Sequence, residues 1–263
     1  MPLEVPAEIL SEGNVRVEAE AGVVVVTLDR PEARNAQTPA TWAALAAVGD
    51  AVARSDTRVV VLRGEGSAFS AGLDRRMFTP EGIPGQASLA AMAAMDDAAL
   101  ESRIEEFQRA FLWQRHVGAL TVAAVQGPAV GAGFQLALAC DLLLALPSAS
   151  FAMRETSYGL VPDLAGTGPL VRSIGYARAV EICATGRTVS AEEGYRLGFV
   201  TRVVEDLDAA VAELAAAVAG TPPGAVSALL PLLATAEVAD RQSQAVHERR
   251  AQVERLRALL RGA

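Results

Sequence analysis

Lysine is absent from this sequence, so all 23 basic side chains are arginine and no Schiff base can form on a lysine amine. Histidine and cysteine number two each, and aromatic residues make up only 5% of the chain. His116 and His247 lie in helix-like stretches far along the chain from its glycine loops, where surface or satisfied histidines are the expected role. Cys140 and Cys183 sit in apolar stretches without metal-ligand spacing, which predicts free thiols in a reducing compartment and no metal site. The longest apolar runs, residues 23–26 and 142–147, fall far short of the roughly 20 residues a membrane span needs. The first fourteen residues carry acids and prolines where a secretory signal would be basic and then apolar. A cytoplasmic location is therefore expected. Net charge is −8, which argues against general attraction to nucleic acid or to an anionic membrane. A polyanionic ligand would need a local basic patch.

The 263 residues are 51% apolar and 21% charged, an ordinary globular composition. Residues 15–28 read as two strands around an Ala21-Gly22 turn. Thr38-Pro39 has the form of an N-cap and first helical residue, opening a helix to about Ser55. Residues 59–63 are a buried strand, and a second strand-like piece ends at Phe69. Residues 78–100, rich in Ala, Met, Gly and Pro, fit either a flexible lid or a solvated linker into a helix at 101–115. Beyond them come a strand at 120–125, a turn at 126–130, a helix at 133–139, and strands at 142–146 and 150–153. Strand-strand-helix order repeats, which points to stacked units rather than one open sheet. After Thr167 the pattern is helical, over 168–185, 190–197, 207–218 and 222–261, with one short strand at 199–204. The last helix carries six arginines after residue 240, for a solvated face, a subunit contact or a phosphate contact.

Two small-residue loops could carry chemistry: Ala68-Phe-Ser-Ala-Gly-Leu-Asp74 after a strand, and Gln126-Gly-Pro-Ala-Val-Gly-Ala-Gly-Phe-Gln135 between a strand and a helix. Neither is a phosphate loop or a dinucleotide fingerprint. Such loops leave backbone N–H groups uncovered, and a helix N-terminus adds partial positive charge, so together they can hold a developing oxyanion. No nucleophile elbow or Cys-His arrangement accompanies them. Carboxylates remain as proton carriers. Glu155 follows a strand among apolar and small neighbours, and Asp163 opens another small-residue stretch. Buried, either would have the raised pKa a proton shuttle needs. The alternatives are an arginine partner for Glu155 and a helix cap at 164–173 for Asp163.

At these loops the sequence resembles the crotonase (enoyl-CoA hydratase/isomerase) superfamily. The residues carrying the likeness are Thr27 to Ala36, Phe69 to Asp74, Gln126 to Gly133, Ala139 to Asp141, Phe151 to Glu155, Gly159 to Asp163 and Gly186 to Gly194. Seven segments in one order and at the family's spacing form a specific match. The resemblance implies an α/β spiral of strand-strand-helix turns over residues 1–200. It also implies a helical region at 201–263 that makes a homotrimer or a dimer of trimers. It further implies an oxyanion hole from the N–H groups of Ala71 and Ala132. An acyl-CoA thioester would contact Arg34, Asn35, Ala36, Ser70, Gly72, Leu73, Asp74 and Gly131, with CoA as part of the substrate and no separate cofactor.

The departures from the family pattern bear on the reaction. Family hydratases use two glutamates. One matches Glu155, but the other falls on Gln135, which can orient water or substrate yet cannot exchange a proton. Asp163 stands where dienoyl-CoA isomerases of the family carry an aspartate. Gln135, Glu155 and Asp163 are therefore the expected catalytic set, with proton relocation ahead of water addition. A non-catalytic acyl-CoA binder is a third reading.

Overall fold

Alternation of apolar residues and a two-residue turn start the chain's β structure, and the computed structural model, which describes residues 3–261, shows how. Met1, Pro2, Gly262 and Ala263, the outer ends of the two expected regions 1–200 and 201–263, lie outside the described residues. After helix α1 (Ala7–Gly13), strands β1 (Val15–Glu20) and β2 (Val23–Leu28) pair antiparallel. Ala21 (φ 49°) and Gly22 (φ 80°) both turn left-handed, the two-residue turn whose twist matches that of the flanking strands. Helix α2 (Pro39–Ala53) starts where expected: Thr38 and Thr41 form a reciprocal capping box with Pro39 inside the first turn.

Next come β3 (Val59–Gly64), α3 (Leu89–Ala93), α4 (Asp97–Leu112), β4 (Leu120–Val125), β5 (Pro128–Val130) and α5 (Ala132–Ala139). They are followed by β6 (Leu142–Ala145), β7 (Ser150–Ala152), α6 (Thr167–Ile174), α7 (Tyr176–Thr185), β8 (Val189–Ser190) and α8 (Ala191–Leu197). The chain continues with β9 (Arg202–Val203), α9 (Leu207–Ala219), α10 (Ala225–Ala236) and α11 (Arg241–Arg261).

Two sheets result. One has the order β1-β2-β3-β4-β6-β9 and is parallel from β2 onward; the other is β5-β7-β8. The inner strands of the first sheet are near-continuous Val, Leu and Ala because both faces are covered, by α2 and α5 on one side and α9 and α10 on the other. The second sheet extends through isolated bridges, Ser70 to Ala129 and Gln37 to Leu73. Each pass of the chain thus lays a strand in the first sheet and a short extended piece in the second. That is the expected spiral.

Several local expectations change. Residues 126–130 are not a simple turn but contain β5, whose three residues pair with β7. The piece before Phe69 is no regular strand; only Ser70 makes a bridge. The helix expected over 168–185 is broken at Gly175, and that over 222–261 is broken before Asp240, whose carboxylate accepts from the N–H groups of Gln242 and Ser243 to start α11. Residues 78–100 are folded: Ile83 and Met92 are buried, and Ser88 caps α3. Apolar anchors there are spaced too irregularly to show periodicity.

Candidate active site

Beneath the first glycine loop lies a knot of buried polar side chains. Asn35 donates through Nδ2 to the carbonyls of Glu65 (2.9 Å) and Ala68 (2.8 Å), and its Oδ1 accepts from the N–H of Arg30 (3.0 Å). Ser70 donates to the Asn35 carbonyl (2.8 Å) and accepts from Gln37 Nε2 (3.0 Å), while Gln37 Oε1 accepts from the Trp42 indole (2.8 Å). Every member has a partner, as burial requires. The CoA contacts expected of Asn35 and Ser70 are therefore not made by their side chains, which are committed to holding the loop. The same correction applies to Asp74. Its buried carboxylate bonds to Arg76 and pairs with Arg30, and these contacts, with Arg76 the strongest, hold it well below the usual carboxylate range. Arg34 and Arg75 differ. Both are exposed, and neither guanidinium bonds to a described residue, so they are the loop's available cations.

The knot fixes where the loop's N–H groups point. Ser70 N–H donates to Pro128 O (3.1 Å) and Ala71 N–H to Arg34 O (2.8 Å). Ala71 is thus already satisfied, which corrects its expected place in an oxyanion hole. Leu73 is the other candidate donor in this loop. The Gly72 carbonyl accepts from Gln37 N–H (2.7 Å), and Asp74 N–H donates to Gln37 O (2.8 Å). Across a planar trans peptide the Leu73 N–H points opposite to the Gly72 carbonyl, away from Gln37 and toward β5 and α5. No described residue accepts from it. Gly72 makes the approach feasible: its φ is +84°, and a Cβ there would lie 2.4 Å from Val130 O and 3.5 Å from Ala132 N. Ala132 is the first residue of α5, so its N–H has no partner within the helix, and the helix dipole reinforces it. Leu73 and Ala132 are thus the candidate donor pair of the two loops. Nothing local in the sequence chooses between Ala71 and Leu73, because the hydrogen bonds that decide come from distant segments.

The proton-carrying groups converge on the same helix end. Glu155 begins a short 3₁₀ turn after β7, and its Oε1 would be 3.3 Å from a Cβ at Gly131, the residue preceding Ala132. Gln135, one turn into α5 and 1% exposed, donates through Nε2 to Glu155 Oε1 (2.7 Å). The other oxygen, Oε2, is buried and has no partner. Burial is the main cause raising the Glu155 pKa, opposed by the Gln135 hydrogen bond and reinforced by Asp163. No arginine pairs with Glu155, so the alternative expected for it does not occur.

Gln135 is corrected in one respect. Its Oε1 already accepts from the N–H groups of Leu164 (3.0 Å) and Gly166 (3.2 Å), so only the second N–H of Nε2 is left for a water or substrate. Asp163 does not cap a helix, since the residue before α6 is Gly166. It lies open to solvent at the rim, and the surrounding protein raises its pKa by desolvation. The sequence thus brings Gln135, Glu155 and Asp163 together, with unequal access to the donor pair.

Elsewhere the structure offers less chemistry. Both cysteines are free, Cys140 buried and Cys183 half-buried. His116 bonds to the Leu112 carbonyl on its own helix (2.7 Å). Among the described residues no three His, Cys, Asp or Glu side chains are grouped to hold a metal ion, and no helix is long and apolar enough to cross a membrane.

The chain is similar to known proteins. The family model described as enoyl-CoA hydratase/isomerase matches residues 18–256. A probable enoyl-CoA hydratase from Rhodobacter capsulatus is 36% identical over 200 residues, covering 76% of this chain and 72% of its own. An (E)-benzylidenesuccinyl-CoA hydratase from Thauera aromatica is 35% identical over 203 residues, covering 76% of this chain and 73% of its own. A crystal structure of a putative enoyl-CoA hydratase from Thermobifida fusca in complex with acetoacetyl-CoA superposes with a TM-score of 0.91 at 41% identity, covering 97% of this chain and all of that one. Across its two sheets and its glycine loops alike, this chain belongs to the enoyl-CoA hydratase/isomerase family, with the crotonase fold.

Proposed function

We propose that this protein binds an acyl-CoA thioester, stabilises its enolate with the Leu73 and Ala132 N–H groups, and relocates a proton so as to shift a carbon–carbon double bond. The observation that carries this reading is the free Oε2 of Glu155, a buried carboxylate oxygen of raised proton affinity beside two uncommitted backbone donors. Binding of a CoA thioester is supported by the acetoacetyl-CoA complex of the Thermobifida fusca protein. Exposed and without a described partner, Arg34 and Arg75 are the cations proposed to meet its phosphates.

The chemistry follows from the geometry. A thioester carbonyl oxygen held by Leu73 and Ala132 acidifies the neighbouring carbon, because charge moving onto that oxygen meets preorganised donors. In a 3-enoyl thioester, Glu155 Oε2 removes a proton from C2. The electron pair spreads to the carbonyl oxygen and to C4, and return of that proton from Glu155 to C4 moves the double bond to C2–C3. Atoms balance with no co-reactant. Asp163, at the rim, raises the proton affinity of Glu155 and exchanges protons with solvent.

Water addition to a 2-enoyl thioester is the second reading, favoured by the hydratase names of the relatives. It asks Glu155 to take a proton from water and give one to C2, because Gln135 supplies neither. A panel of 2-enoyl-, 3-enoyl- and dienoyl-CoAs separates the two readings. Unchanged product mass with shifted absorbance is expected; a gain of one water establishes hydration instead. Binding without turnover of any member identifies a carrier. The helices after residue 201 complete the proposal as the subunit contact of a homotrimer or dimer of trimers.

A further inference from the structure

Gln135 is buried in the middle of the site, and both polar atoms of its amide are bonded to protein. Oε1 accepts from two backbone N–H groups, of Leu164 and Gly166, which fixes the amide's orientation and leaves Nε2 as the group that faces Glu155. The fit is close: a Cβ at Gly166 would be 2.6 Å from Gln135 Cγ. The loop bearing Asp163, the first turn of α5 and the carboxylate of Glu155 therefore meet at one amide. The two oxygens of Glu155 are thereby made unequal, Oε1 bound and Oε2 free.

We propose that Gln135 is a positioning residue, its pinned amide holding Glu155 by Oε1 so that Oε2 alone faces the substrate and carries the proton. The proposal rests on the reading that Glu155 transfers the proton. It assigns to the amide a role that a carboxylate could not fill in the same way. A second carboxyl at 135 would keep the two backbone hydrogen bonds. Its other oxygen would face Glu155 Oε1 across 2.7 Å, and the pair would hold one proton between them. Glutamine orients Glu155 without competing for its proton.

The role is separable from simple packing by its effect on ionisation. The hydrogen bond from Nε2 favours the charged form of Glu155, so losing it moves the Glu155 ionisation to higher pH. The experiment compares wild type, Gln135→Met and Gln135→Glu by kcat and KM against pH on the turned-over enoyl-CoA. Carboxyl NMR titration of the ligand-free proteins gives a second readout. Gln135→Met is expected to lower kcat about 10²-fold with KM nearly unchanged, as for a misplaced catalytic group, and to move the ionisation upward. Gln135→Glu, which keeps the pin on Leu164 and Gly166 and so tests the case where Gln135→Met folds poorly, should also move it upward. An ionisation at the wild-type position in Gln135→Glu, or a kcat loss in Gln135→Met without any shift, overturns the proposal. Glu155→Gln is run alongside. Undiminished turnover in that variant removes the proton-transfer reading itself, and with it the role given to Gln135.

Discussion

Glu155 carries opposite consequences for activity and for stability. Burial raises its pKa in the folded protein, whereas in the unfolded chain it titrates in the ordinary carboxylate range. Between those two values the folded state holds a proton that the unfolded chain has lost. Above the raised value Glu155 is ionised in both states, and the full cost of burying the charge is felt. Its relative contribution to stability is thus greatest below the ordinary range and falls as pH rises through the raised value. Glu155→Gln keeps an acceptor for Gln135 Nε2 and removes the charge. Its melting temperature is expected to exceed that of wild type at neutral pH, with the gap closing on acidification. Thermal unfolding of both proteins across pH checks this, and a gap independent of pH contradicts it. Gln135, Glu155 and Asp163 were legible as a group in the sequence because their types and spacing carry the family pattern. Their unequal roles were not, because which oxygen is free depends on the N–H groups of Leu164 and Gly166.

Among the elements, the loop from Ser70 to Asp74 shows most clearly what a sequence pattern leaves open. The motif identified the loop as a donor of N–H groups, but Ala71 and Leu73, two residues apart, would share a direction in an extended chain, and only the left-handed Gly72 (φ +84°) turns them apart. Choosing between Ala71 and Leu73 required the hydrogen bonds to Arg34, Gln37 and Pro128, contributed by distant segments. The same holds for β5, three residues long and strand only because β7 lies beside it. The hairpin and the start of α2 were legible because their turn and cap chemistry is local. The closeness of Gly72 to Val130 makes Gly72→Ala a sharp test of the donor assignment. A methyl group there must displace the Val130 carbonyl or the loop, and the residue must keep φ +84°. A stability loss of about 1–3 kcal/mol is expected from the strain. With it should come a fall in kcat on the order of 10²–10³ from a displaced Leu73 N–H. Urea unfolding and steady-state kinetics measure the two. Wild-type kcat in a destabilised Gly72→Ala protein would contradict the placement.

Across the whole molecule, the core of the spiral is closed while its C-terminal helices are not. Leu229 and Leu233 on α10 and Val253, Leu256, Leu259 and Leu260 on α11 are all exposed, Leu260 at 81%. Helices α10 and α11 pack on each other and touch the body sparingly, partly through Glu237, which pairs with Arg115 and Arg172. Apolar exposure on that scale is what supports the proposed subunit contact. Light scattering at micromolar concentration is expected to give a trimer or hexamer, and the double variant Leu256→Asp, Leu259→Asp a smaller species; a monomeric wild type contradicts the assembly. Helix amphipathicity after residue 167 was legible in the sequence, but the break before Asp240 that folds α11 back along α10 was not, since a capping aspartate reads like any surface acid. The proposed chemistry turns on a single carboxylate acting on a thioester held by two backbone donors. Its most direct test is the turnover of the enoyl-CoA panel by Glu155→Gln, with CoA-ligand affinity measured by calorimetry on the same protein. The expected result is turnover reduced at least about 10²-fold with affinity nearly unchanged; undiminished turnover would contradict it.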